Sequence, residues 1–297
     1  MAKSVVVSNP VLFGSHSSRL GESPVWDVAG QRLLWADIVG GEILAADRDG
    51  NLLRRWKFND KVPSFGLCES GRWVVALRKG VHLFDPESET LILLAEPGPE
   101  PVTNRLNDGK VGPDGAFWVG TMDDRPDRQP LGSLYRVTAD GRCEKKVEGM
   151  TVPNGLAWSA DGRTMFHSDS RGRWVDAYDF DAATGAIRNK RRIVADVTEE
   201  QGRPDGGACD VEGAYWSAGV SAQCLHRYSA TGELLETVPV PMPAPTMPCF
   251  GGPDMKTLYV TSSNDGLKGE RAQHPNVGRL AVLQVSVAGA PVAKFKA

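Results

Sequence analysis

Four oxygen-bearing side chains recur at nearly one distance ahead of a large aromatic residue. Asp205 lies eleven residues before Trp216, Asn154 twelve before Phe166, Asn107 eleven before Trp118 and Glu22 thirteen before Trp35. Prolines and glycines surround these positions, as in GESPVW, TVPNGLAW and GRPDGGACD, and they suit loops that hold a side chain in an unusual backbone setting. If the segments are copies of one unit, equal phase brings the four groups to one place. Two carboxylates and two amides in one place, all oxygen donors, describe a site for a hard metal ion. Taken singly, an Asp or Asn in a loop makes a turn to its own backbone; agreement in phase sets these apart. Glu22, close to Pro24 and Trp26, reads as partly buried and in need of a partner.

Arg105 stands two residues from Asn107, so along an extended segment both face the same side. An arginine at the mouth of a metal site donates several hydrogen bonds to substrate oxygens; the plainer role is a rim salt bridge to Asp108 or Asp124. The charged, proline-bearing loop MDDRPDRQP (122–130) suits either a lid or an ordinary connection. Other chemistries fit less well. No G-x-S-x-G elbow, H-x-x-x-H zinc spacing, Walker loop or dinucleotide fingerprint occurs. His167, Ser168 and Asp169 are neighbours on one strand, so they point to alternate faces and do not form a triad.

The elements that must position these groups repeat. A turn signal followed by a short apolar strand occurs six times, beginning near residues 29, 69, 113, 160, 211 and 253. A second strand-like piece follows each, and a spacing of roughly forty to fifty residues fits one four-stranded blade. No sustained helical period appears. The expectation is an all-β, six-bladed β-propeller, read as one domain over residues 1–297 with no internal linker. A ring must be closed to remove unpaired edges, and an N-terminal strand drawn from Val5 to Val11 is the expected closure of the last blade. Glu22, Asn107, Asn154 and Asp205 then belong to blades one, three, four and five. The equivalent places in blades two and six fall near Pro63-Ser64 and Met247-Pro248.

The totals exclude several partners. A formal charge of -3 gives no electrostatic reason to bind nucleic acid or an anionic membrane. The basic run Asn189 to Arg192 reads as a solvated strand or turn. Five widely spaced cysteines without a C-x-x-C pair suggest reduced thiols and a cytoplasmic setting. The N-terminal apolar run is short and broken by Asn9 and Pro10, which suits neither a signal peptide nor a membrane span.

Taken together, LGESPVWD, RLNDGKVGPDGAFWVGTM, VPNGLAWSADG, RPDGGACDVEGAYW and PDMKTLYVTS resemble the SMP-30/gluconolactonase/luciferin-regenerating family over most of the chain. The resemblance implies a six-bladed propeller with one divalent ion (calcium, zinc, manganese or magnesium) held by Glu22, Asn154 and Asp205. It implies further that Arg105 and Asn107 contact substrate and that Asp205 takes part in proton transfer. The lid segment departs from the family, carrying Asp123-Asp124-Arg125. Asp124 and Arg125 are therefore candidate substrate contacts, with Arg125 or Arg128 reading an anionic substituent. The reading is a metal-dependent hydrolase of a sugar-acid lactone, acting on a small molecule as a monomer or small homo-oligomer. The rivals are a propeller-type phosphotriesterase or aryl-ester hydrolase, with a more apolar pocket, and a non-catalytic calcium-binding propeller.

Overall fold

Segments rich in Val, Leu, Trp and Tyr, punctuated by Asp-Gly and Thr-Gly turns, become strands throughout the computed structural model, which describes residues 4–98 and 100–297. The chain opens with β1 (Val11–Ser17), which belongs to the last sheet. Blade one is β2 (Gly21–Asp27), β3 (Arg32–Asp37), β4 (Glu42–Ala46) and β5 (Leu52–Lys57). Blade two is β6 (Ser64–Leu67), β7 (Trp73–Ala76), β8 (Val81–Phe84) and β9 (Leu91–Ala95). Blade three is β10 (Asn104–Val111), β11 (Phe117–Asp123), β12 (Gly132–Val137) and β13 (Cys143–Met150). Blade four is β14 (Pro153–Trp158), β15 (Thr164–Asp169), β16 (Trp174–Asp181) and β17 (Ala186–Val194). Blade five is β18 (Pro204–Cys209), β19 (Tyr215–Gly219), β20 (Cys224–Tyr228) and β21 (Leu234–Pro239). Blade six is β22 (Pro245–Gly251), β23 (Thr257–Ser262), β24 (Arg279–Gln284) and, outermost, β1; the four-residue helix α1 (Glu270–Gln273) lies between β23 and β24.

Each sheet is antiparallel, and the first strands of the blades pack side by side around the axis. The molecule is an all-β six-bladed propeller. Closure pairs Val11 with Val282, Leu12 with Ala281 and Phe13 with Leu280. The stretch before it contributes a single bridge, Val6 to Val285. Val5, Val7 and Ser8 hydrogen-bond to Gln284 and Ser286 through the backbone, so the Val5–Val11 stretch does run beside the C-terminal segment, while the regular ladder begins at Val11, just after Pro10, which has no amide hydrogen to donate.

Burial follows the radial position. β10, β14 and β22 are almost wholly buried, whereas the outer strands β5, β13 and β17 face solvent. The second strands carry large core residues, Trp35, Trp118, Phe166 and Trp216. Two blades share a buried device: Asp114 accepts from the Trp118 indole and pairs with Arg136, and Asp210 does the same with Trp216 and Arg227. Each indole and carboxylate is satisfied at once, which a buried polar group requires. Among the described residues no helix is long and apolar enough to cross a membrane.

Candidate functional site

A regular strand sends alternate side chains to opposite faces, so it cannot aim neighbouring residues at one axis. Five of the six inner strands break that rule at the same place. Register shifts fall between Glu22 and Val25, Leu106 and Gly109, Asn154 and Ala157, Pro204 and Gly207, and Pro245 and Met247. A bulge of this kind bends the strand and re-aims its side chains. Ser23 takes a positive φ of 48° and Gly155 one of 67°, the left-handed conformations such bulges use. Asn107 and Asp108 both turn into the channel for this reason, although they are sequence neighbours.

Glu22, Asn107, Asp108, Asn154 and Asp205 line one cavity of about 290 Å³ at the end where the inner strands begin. Blade two contributes Pro63 and blade six contributes Thr246, not Met247-Pro248. Met247 is buried against Gly206, and Pro248 lies at the opposite mouth, because the blade-six bulge falls one residue earlier.

The side chains form a chain of hydrogen bonds around the channel. Arg105 Nη1 donates to Asn107 Oδ1 (2.9 Å), and Asn107 Nδ2 donates to Asn154 Oδ1 (3.1 Å) and to the Pro153 carbonyl (2.9 Å). Asn154 Nδ2 donates to Asp205 Oδ1 (2.5 Å) and Ser170 Oγ (2.7 Å). Glu22 accepts from the Ser23 amide alone, at 3.1 Å, and Asp108 Oδ1 is buried with no partner among the described residues. Burial, then Asp205 and Asp108, push the Glu22 carboxyl well above its ordinary range. Burial also raises Asp205, to about 7, against the pull of Arg203 and with a further push from Asp108. Three crowded carboxylates, one orphaned oxygen and an amide oxygen with a spare lone pair are the donors a hard divalent cation takes. Lys110, whose ammonium donates to the Gly207 carbonyl (2.7 Å), bridges blades three and five on the side of the opposite mouth.

Two other places compare poorly. His16, Asp37 and Glu42 also bring ligand atoms within 4.8 Å of one another. There Asp37 already caps the amides of Arg19, Leu20 and Gly40, while Glu42 pairs with Arg55. The opposite mouth holds a larger cavity of about 340 Å³, walled by Lys110, Cys209, Cys249 and the C-terminal tail. Burial raises both thiols, Cys249 to about 11, so neither is a nucleophile at neutral pH. All five cysteines are free.

Arg105 is buried and gripped by Asp124, Nε to Oδ1 at 2.8 Å, and Asp124 also pairs with Lys61 and Arg78. Asp124 does not itself line the cavity. Arg125 points elsewhere: it forks onto the buried Asp123, which also accepts the Gln129 amide and so orders loop 122–130. Arg128, three residues on, is the loop residue that faces the cavity. Asp108, Ser170, Arg171, Arg203 and Arg271 also line it and were not singled out from the sequence as site residues. Within His167-Ser168-Asp169 the roles diverge: both His167 nitrogens are buried without partners among the described residues, Ser168 donates to the Asp205 carbonyl, and Asp169 caps backbone amides.

Residues 20–264 match the SMP-30/Gluconolactonase/LRE-like region. The chain is 38% identical over 274 residues to the 6-deoxy-6-sulfogluconolactonase of Pseudomonas putida, covering 92% of this chain and 93% of that protein. To regucalcin of Gallus gallus it is 36% identical over 271 residues, 89% and 90% of the two. The solved structure of a calcium-binding protein, regucalcin, from Agrobacterium tumefaciens superposes with a TM-score of 0.90 at 27% identity, over 98% of each chain.

Proposed function

Because the chain belongs to the SMP-30/gluconolactonase/LRE-like family, we propose that it is a divalent-metal-dependent lactonase that opens a sugar-acid lactone to the free acid. The observation that carries this reading is the convergence of Glu22, Asn154 and Asp205, from three separate blades, on one polar cavity. Those three residues would hold the ion. When bound, a divalent cation polarises an ester carbonyl and stabilises the negative charge that develops on its oxygen.

The chain's own residues supply the rest. Asp205, in the cavity beside Asn154 and Ser170, is placed to move a proton in both directions. It takes a proton from the attacking water as the new carbon–oxygen bond forms, and returns it to the ring oxygen as the lactone bond breaks. Arg105 and Asn107, already hydrogen-bonded to each other, orient the ring hydroxyls. Asp124 acts through Arg105: its carboxylate and the Asn107 amide fix the guanidinium before substrate arrives. Of the two loop arginines considered for an anionic substituent, Arg128 faces the cavity and Arg125 does not. The charged lining of the cavity supports a polyhydroxylated substrate over an apolar aryl ester. The five unpaired cysteines support a reducing, cytoplasmic setting.

The test is a pH-stat assay of lactone opening with pentonic and hexonic lactones, with metal removed and then restored ion by ion. Turnover is expected to vanish with chelator and return with at least one divalent ion. Asp205→Asn is expected to lose about a thousandfold or more in kcat with the fold retained. Full activity in that variant, or in metal-free protein, would contradict the mechanism.

A further inference from the structure

The cavity has two electrical ends. Three of its carboxylates, Glu22, Asp108 and Asp205, come from the inner strands and one, Asp265, from the β23–β24 connection, whereas four of its five arginines, all but Arg105, come from the mouth or from the edge of an inner strand. Arg128 belongs to the β11–β12 loop, Arg171 to the β15–β16 turn, Arg203 to the residue before β18 and Arg271 to α1. Their partners differ. Arg271 Nη2 donates to the carbonyls of Val220 and Pro243. Arg203 pairs with Glu199 through Nη1 at 3.2 Å, but its Nε is buried without a partner among the described residues. Arg128 and Arg171 make no side-chain hydrogen bond or ion pair among the described residues, although both face the cavity.

Guanidiniums gathered this way repel one another. Burial first, then Arg105, Arg171 and Arg203, weaken the hold of Arg128 on its proton against the pull of Asp124, and burial and then Arg203 act likewise on Arg271 against Glu199. Arg128 also holds a strained backbone, with φ at 33°, in a loop tied down by Asp123. A buried unpartnered N–H and an excess of positive over negative charge at the rim are together relieved by one thing, an anion placed among the guanidiniums. A neutral sugar offers hydrogen-bond acceptors there but no charge.

We propose that the preferred substrate is a lactone with a fixed anionic group on the end away from its ring carbonyl, and that Arg128, Arg171 and Arg203 receive that group. This rests on the lactonase reading for the reacting end only. Sulfonate, phosphate and carboxylate share the required chemistry, and the arginine fork accepts each of them. The separation of the two ends sets the orientation: the carbonyl goes to the carboxylate floor and the anion to the arginine rim.

The experiment compares hexono-1,5-lactones carrying a hydroxyl, sulfonate, phosphate or carboxylate at C6, on the metal-loaded enzyme and on Arg128→Gln/Arg171→Gln. Arg171→Gln alone, at an exposed position, serves if the double variant does not fold. The wild type is expected to favour at least one anionic lactone by roughly tenfold or more in kcat/KM over the hydroxyl form, less at high salt. In the variant that ratio falls towards one, mainly through KM. A wild-type preference for the neutral lactone, or a ratio the substitutions leave unmoved, overturns the proposal. If no lactone is opened, the lactonase reading fails separately. Calorimetric titration with the open-chain hexonic acids then decides the arginine site. Tighter binding of a C6 phosphate, sulfonate or carboxylate than of the C6 hydroxyl form, lost in the variant, upholds it, and equal binding overturns it.

Discussion

Asp205 lies where a lone carboxylate is least at ease, beside Asp108 and Glu22 and with an amide hydrogen from Asn154 as its firmest contact. That setting raises its proton affinity, and a divalent ion would relieve the crowding and lower it again. His167 is the contrasting case, a titratable group buried for packing alone. Its ring has no hydrogen-bond partner among the described residues, and burial pushes its pKa from 6.5 down to about 3. Between those values the unfolded chain binds a proton that the folded chain refuses. His167 therefore favours the folded state fully above pH 6.5, and this contribution is lost as pH falls towards 3, at roughly 1.4 kcal/mol per unit. Thermal melts from pH 7 to pH 5 are expected to decline less steeply in His167→Phe than in wild type; parallel curves would contradict it. Glu22, Asn107, Asn154 and Asp205 were legible in the sequence because the repeat keeps their phase. Asp108 was not, since strict alternation turns it away from Asn107. Loop 122–130 was legible as a candidate lid, but the choice between Arg125 and Arg128 depends on Arg125 folding back onto Asp123, which spacing does not reveal.

At the scale of the element, the site is made by broken strands. Turn pairs and apolar segments announce the blades, but a bulge leaves little trace in sequence beyond a glycine or proline, and the five that face the channel became visible only in the pairing register. The same subtlety placed Thr246, rather than Met247-Pro248, at the cavity. Gly155 shows how tightly a bulge is set. Its φ is 67°, the Tyr215 hydroxyl donates to its carbonyl, and an added Cβ would stand 2.3 Å from that hydroxyl and 2.5 Å from Ser168 Oγ. Gly155→Ala must strain the backbone or displace Ser168, which itself contacts the Asp205 carbonyl. A loss of about 2–4 kcal/mol in stability and a weakened metal affinity are expected together, by denaturant unfolding and metal titration. Wild-type values in both would show that the bulge does not set the site.

At the scale of the molecule, the ring is what brings distant carboxylates within reach of one ion. Glu22 and Asp205 are separated by most of the chain yet face one cavity, because β1 closes blade six and the inner strands pack in a circle. The C-terminal tail lines the other mouth, with Phe295 bridged to Cys68, so the two ends of the channel are chemically unlike. Such a fold can keep its frame while rim loops vary, which is where the arginines sit. The most direct measurement is an anomalous difference map from crystals grown with manganese. The account predicts one strong peak within coordination distance of Glu22, Asn154 and Asp205. A channel with no peak there, or a peak only beside His16, Asp37 and Glu42, would contradict it.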